Sequence, residues 1–227
     1  MNLYKNIENN NSSLELDERF KTVILLERHG ESLGNSNRVI LGHTDLDLSE
    51  KGYQQAERSA EFLSSMKIDA VYSSDLIRAH NTALPHAKLR GLPVIDTRQM
   101  REIYAGEWEG RAVVDIEKEY KDIYESGWKA SFGTFCIPGG ESSLEGGKRI
   151  HAELLRIAKE NEGKCVLVAS HAAVIRAFWG IITNTKPEDL AEAYQYPHNA
   201  SISVVYFDGK SLLPGEFSHA DHLVDLM

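Results

Sequence analysis

Val23-Ile24-Leu25-Leu26-Glu27-Arg28-His29-Gly30 and Cys165-Val166-Leu167-Val168-Ala169-Ser170-His171-Ala172 share one pattern. Each is a short run of β-branched and aliphatic residues ending on a histidine followed by a small residue. A continuous apolar run of this length suits a strand buried on both faces, as in a parallel sheet covered by helices. In open α/β sheets, ligands bind just beyond the carboxyl ends of such strands. Two imidazoles from distant parts of the chain are therefore expected at one crevice. Arg28 stands beside the first histidine and Arg176 follows the second. The guest that suits two histidines and an arginine is a phosphoryl group.

Working outward, strands and helices alternate. The stretch 49–63 reads as an amphipathic helix capped by Ser49, whose hydroxyl can accept from the free N–H groups of the first turn. Residues 68–72 and 93–95 read as strands, separated by a helix that Ser74-Asp75 could cap and that runs to about residue 84. A long helix is predicted over 141–161, ended by Gly163. A fourth strand over 164–169 and helices over 172–182 and 187–194 follow. Residues 202–207 and 210–216 form a hairpin across Asp208-Gly209, a dipeptide that readily adopts the left-handed turn conformations. Such alternation argues an α/β fold, a three-layer α/β/α sandwich with a mostly parallel sheet. The stretch of about 100–138 differs, with tyrosines and tryptophans scattered among acids. It reads as a small inserted cap holding a helix near 113–124. Residues 1–20 read as a polar tail, frayed or forming a short amphipathic lead-in, and 21–227 as a single domain.

The 227 residues, 42% of them hydrophobic, suffice for one well-packed domain. The net charge of −9 disfavours nonspecific binding to nucleic acid or membrane surfaces. Two cysteines do not make a secretory disulfide framework. No apolar run approaches the roughly 18 residues of a membrane span, and the amino-terminal stretch lacks the apolar core of a signal peptide. The expectation is a cytoplasmic protein without nucleic-acid or membrane partners. A monomer and a homodimer are equally compatible with the pattern.

Arg28-His29-Gly30-Glu31-Ser32 resembles the histidine phosphatase superfamily, the phosphoglycerate mutase-like proteins. The resemblance continues through Asn35, Gly42-His43-Thr44-Asp45, Leu48-Ser49, and Gly52 with Gln55-Ala56. It resumes at Ser73 to Ala79 with Thr82-Ala83, then at Glu102, Gly106-Glu107-Trp108-Glu109-Gly110 and Pro138-Gly139-Gly140-Glu141-Ser142. It closes at Ser170-His171 and Val174-Ile175-Arg176. Each match is weak alone; the ordered set, over roughly residues 22–205, is specific.

The resemblance implies a catalytic set of His29, Glu102 and His171. His29 would be the nucleophile, splitting phosphoryl transfer into two easier steps. Arg28 and Arg78 would grip the phosphoryl oxygens, which guanidinium forks match, and Asn35 would donate an amide hydrogen bond. His171, protonated beside the phosphate, would stabilise transition-state charge. The helix opening at Ala172 would present backbone N–H groups to the anion. Ala172 itself departs from the family's usual glycine but keeps the N–H. Glu102 would protonate the leaving alkoxide and then activate water. Gly42, Arg101 and Tyr104 are added as candidate substrate contacts. No metal and no cofactor is called for, because arginines and a histidine would supply the charge stabilisation.

Other residues carry plainer readings. Arg176 is expected to be a structural salt-bridge partner, and Trp108 and Trp128 to pack the cap. His43 and His198 lean towards the cleft. His219-Ala220-Asp221-His222 is expected to be a solvated loop, since no further ligands at zinc spacing accompany it. Gly139-Gly140 is a turn, because no strand with GxGxxG precedes it.

Within the family, a mutase needs a cationic clamp for the glycerate carboxylate. The mutase-like Glu-Arg-His-Tyr-Gly is here Glu102-Ile103-Tyr104-Ala105-Gly106, and Ile103 and Ala105 cannot supply that charge. The expected activity is therefore hydrolysis of a small phosphorylated metabolite through a phosphohistidine. A cofactor-dependent phosphoglycerate mutase and a non-catalytic phospho-ligand binder are the alternatives.

Overall fold

The computed structural model describes residues 14–227. In chain order its elements are β1 (Thr22–Arg28), α1 (Leu33–Ser36), β2 (Val39–Ile40), α2 (Glu50–Phe62), β3 (Ala70–Ser74), α3 (Ile77–Arg90), β4 (Val94–Thr97), β5 (Arg111–Ala112), α4 (Val113–Glu119), α5 (Lys121–Ile123), α6 (Ser143–Glu160), β6 (Cys165–Ser170), α7 (Ala172–Ile182), α8 (Leu190–Ala193), β7 (Ile202–Phe207) and β8 (Leu212–Pro214). The main sheet runs β4-β3-β6-β1-β7-β8. Its first four strands are parallel; β7 pairs antiparallel with β1, and β8 antiparallel with β7. The two matched runs of sequence are neighbours, β1 against β6.

Strand alternation splits the core. Ile24, Leu26, Val166 and Val168 face the layer of α6 and α7. Val23, Leu25, Leu167 and Ala169 face the opposite layer, where α3 contributes Ala79, Ala83 and Ala87. Both faces are buried, which is why the strands read as continuous apolar runs. The expected three-layer α/β/α sandwich is the fold observed.

Several local expectations change. The helix after β3 is not capped by Ser74-Asp75. Its first-turn N–H, on Ile77, donates to Asp45 Oδ1 at 2.8 Å from a distant loop, and Asp75 pairs with Arg101 instead. α3 also passes through Pro85 and ends at Gly91, whose φ of 62° closes it in the left-handed conformation. The cap helix breaks at Tyr120, beyond which the chain turns through α5 into one wide turn over Tyr124–Lys129. α6 ends at Glu160 with Asn161 as its cap, before Gly163.

The part of the expected tail that is described, residues 14–20, is not frayed. Leu14 is buried, Leu16 and Phe20 pack on the α2–α3 layer, and Phe20 stacks on Tyr206 at 4.8 Å. The rest of that tail lies outside the described residues. In the cap, Trp108 is fully buried among Tyr120, Tyr124, Trp128 and Phe135, so its packing role is as expected. No described helix is long and apolar enough to cross a membrane.

Candidate active site

The register of β1 on β6 sets Arg28 opposite Ser170, so the next residues, His29 and His171, come out side by side. Their ring centroids are 5.1 Å apart at 61°, and both are buried. His29 Nδ1 lies 2.6 Å from the Gly30 carbonyl oxygen. A carbonyl only accepts, so Nδ1 carries the proton and Nε2 keeps its lone pair. Burial, then Arg78 and Arg28, push the His29 pKa well below the ordinary 6.5, so the ring is neutral near pH 7.

Neither ring nitrogen of fully buried His171 has a hydrogen-bond partner. Burial, followed by Arg78 and His29, lowers its pKa well below 6.5 as well. The expectation of a protonated His171 is tied to a phosphate beside it; in the protein by itself the ring is neutral near pH 7.

Arg28 Nη1 donates to the Pro197 carbonyl at 2.6 Å, while its buried Nε has no partner. Arg78, in the first turn of α3, donates to the Thr44 and Gly42 carbonyls at 2.9 and 2.8 Å. Burial lowers both arginines to about 10, so both stay cationic at neutral pH. Their protein partners are carbonyl oxygens, not carboxylates. Both face a cleft whose lining holds one carboxylate, Glu102, which favours their charged forms; two cations against one anion leave a place for further negative charge.

Asn35 is oriented by its oxygen. Oδ1 lies 3.1 Å from Ser32 N, 3.0 Å from Ser32 Oγ and 3.2 Å from Asn199 Nδ2, leaving its amide NH2 as a donor at the cleft. The amino terminus of α7 is arranged differently from expectation. Glu102 Oε2 accepts from Ala173 N at 3.0 Å and Oε1 from Val174 N at 2.9 Å, so this carboxylate takes two of the N–H groups that a phosphoryl group was expected to meet. Ala172 lines the cleft beside it.

Gly42 also lines the cleft, but as architecture. Its φ is 52°, and a β-carbon there would lie 2.0 Å from Glu109 Oε1. Arg101 and Tyr104 do not join the lining. Arg101 is held in a bidentate pair by Asp75 at 2.6 and 2.7 Å, and Tyr104 is exposed against His43. His43 itself bonds the Glu102 carbonyl oxygen at 2.9 Å. His198 is exposed. Arg176 is structural as expected, yet with no salt bridge. It donates to the Ala191 carbonyl at 2.8 Å and lies between the rings of Phe132 and Tyr196. His219 and His222 are not a solvated loop, since both stack on Phe62.

Three supporting residues had no individual signal in the sequence. Glu109 accepts from the backbone N–H of His43, Thr44 and Ala105 and so ties the Gly42 loop to the loop that follows Glu102. Arg149, from α6, donates to the carbonyls of Gln99, Arg101 and Glu102 and is itself held by Glu141. Asn199 donates to His29 O at 3.0 Å. The cleft opens to solvent, and with its open mouth takes in about 570 Å³.

The family model of the histidine phosphatase superfamily (branch 1) matches residues 24–213, and the chain belongs to this family. Phosphoglycerate mutase-like protein 4 of Arabidopsis thaliana is 38% identical over 159 residues, 69% of either chain. The metal-independent phosphoserine phosphatase of the same plant is 34% identical over 205 residues, 89% of this chain and 83% of the relative. Among solved structures, the phosphoserine phosphatase of Entamoeba histolytica in complex with 3-phosphoglyceric acid superposes with a TM-score of 0.76 at 29% identity. That match covers 89% of this chain and all of the other.

Proposed function

We propose that the protein is a phosphomonoesterase that hydrolyses a small phosphorylated metabolite through a phosphohistidine. The observation that carries this is the His29–His171 pair, both rings buried, beside half-buried Arg28 and buried Arg78, whose hydrogen-bond partners are carbonyl oxygens. A phosphate monoester supplies the missing negative charge. Arg28, Arg78 and the Asn35 amide hold its non-bridging oxygens, which carry the charge of the transition state. His29 Nε2 attacks phosphorus, forming a P–N bond as the ester P–O bond breaks. Glu102 in its acid form gives its proton to the departing alkoxide, and the alcohol leaves. The Glu102 carboxylate then takes a proton from water, whose oxygen attacks phosphorus and breaks the P–N bond. Phosphate is released and Glu102 is an acid again.

The mutase-like relative favours a second reading, phosphoryl transfer between two hydroxyls of one acid. The cleft supports hydrolysis better. Its lining holds Ile103 and Ala105, and its only lining cations among the described residues are Arg28 and Arg78, both committed to the phosphoryl end. Phosphate release from a panel of metabolite phosphates, with EDTA present, tests the proposal on wild type and His29→Ala. Turnover that the substitution abolishes is the expected result. No release, with isomerisation of 3-phosphoglycerate primed by a bisphosphoglycerate, would make the protein a mutase. Neither activity would leave a binding module.

A further inference from the structure

Beyond the phosphoryl end, the cleft changes character. Besides the charged and polar residues, its lining holds Ile40, Leu41, Ile103, Trp128, Ile137 and Tyr196. Trp128 and Tyr196 lie nearly parallel, 25° apart with centroids separated by 6.2 Å. The pair is braced from behind. Phe132 meets Trp128 edge-on at 5.4 Å, and the Arg176 guanidinium sits 4.5 Å from the Tyr196 ring and 4.6 Å from Phe132. A wall fixed in this way presents flat apolar surface at little further ordering cost.

The charges around this wall exclude as much as the wall attracts. Arg101 is paired with Asp75 and Arg149 with Glu141 and three carbonyls, while Arg176, outside the lining, donates to the Ala191 carbonyl and packs on the Tyr196 and Phe132 rings. The one acidic side chain in the lining is Glu102, whose oxygens already accept backbone N–H groups. A carboxylate on the leaving alcohol would lose its water against isoleucine and tryptophan, since Arg28 and Arg78, the cations of the lining, serve the phosphoryl group and Arg176 lies outside the lining. Burying an unpaired charge is strongly unfavourable, whereas an apolar group gains from the same contact.

We propose that Trp128 and Tyr196 form a leaving-group subsite that selects phosphate esters of uncharged alcohols with an apolar, preferably aromatic, body over esters of charged amino acids or hydroxy acids. The inference rests on the phosphomonoesterase reading and narrows it. Three esters of ordinary alkyl alcohols separate shape and charge from leaving-group chemistry: benzyl phosphate, β-glycerophosphate and O-phosphoserine. The expected kcat/KM order places benzyl phosphate first by about tenfold or more, and O-phosphoserine last. Trp128→Ala should bring the ratio of benzyl phosphate to β-glycerophosphate close to one. Ile40→Lys, at the rim on short β2, adds a cation and should move O-phosphoserine above benzyl phosphate. Equal kcat/KM for benzyl phosphate and O-phosphoserine in the wild type, or a preference for O-phosphoserine, overturns the subsite. So does a Trp128→Ala variant that is folded and keeps the wild-type ratio. Failure to release phosphate from all three esters and from p-nitrophenyl phosphate would overturn the phosphomonoesterase reading itself.

Discussion

A buried imidazole between two guanidinium groups must be neutral, and that neutrality ties stability to pH. The pKa values of His29 and His171 lie well below 6.5 in the folded chain and return to about that value on unfolding. The unfolded state therefore binds more protons below pH 6.5. Stability is complete above that pH and falls as the pH drops from it towards the folded pKa values. The slope reaches at most ~1.4 kcal/mol per pH unit for each histidine. Urea unfolding at pH 7.5 and 5.5 should show the loss, and His171→Asn should lessen it; equal stability of the wild type at both pH values would count against the assignment. His29, Arg28 and His171 were legible in the sequence because each ends or follows a strand, where backbone direction settles the side chain's destination, and Arg78 only through the ordered resemblance. The pairing of Arg101 with Asp75, a residue 26 positions away, had no local signal. Likewise, Glu27 breaks the apolar run of β1, and only the fold reveals fully buried His86 3.1 Å from it.

At the scale of elements, the site is held by contacts between segments that no periodicity announces. Asp45 caps α3 from outside the helix, and Arg149 grips three carbonyls of the Glu102 segment from α6. Arg149→Met should therefore misplace Glu102 and lower kcat by about ten- to a hundredfold, since a small displacement of a catalytic group is costly. KM should change far less. Kinetics on p-nitrophenyl phosphate and on an alkyl phosphate would check this; an unchanged kcat for the alkyl ester would refute the positioning role. Gly52 shows a second kind of constraint. A β-carbon there would stand 1.9 Å from the Glu31 carbonyl oxygen, so α2 approaches the loop after β1 too closely for any side chain. Gly52→Ala should destabilise the protein by about 1–3 kcal/mol, as overpacking does, measurable by denaturant titration. The core helices and strands were readable because burial on one face or both imposes a pattern. Cap boundaries were not, because the break at Tyr120 and the wide turn after it follow from how the aromatic rings pack around Trp108.

At the scale of the whole molecule, one sheet edge gathers the chemistry. β1, β3 and β6 run in parallel, and the loops or helices at their carboxyl ends deliver His29, Arg78 and His171 to one place. The far side of the molecule is closed by residues 14–20, which composition had made look like part of a tail. Leu14, Leu16 and Phe20 are apolar exceptions in a polar stretch, and all three pack on the sheet layer, Leu14 buried and the other two in part. Starting the chain at residue 21 should therefore lower stability by about 2–4 kcal/mol, the value of burying one such side chain fully and two in part. Thermal unfolding would check it; an unchanged midpoint would mean that the segment contributes nothing. The most direct test of the central claim uses Glu102→Gln with p-nitrophenyl phosphate. Its leaving group departs without an acid, but breakdown of the P–N bond still lacks its base. The account expects a burst of nitrophenol equal to the enzyme concentration and a phosphoryl group recovered on His29 after an alkaline quench. Absence of a burst, or a phosphoryl group on any other residue, would contradict it.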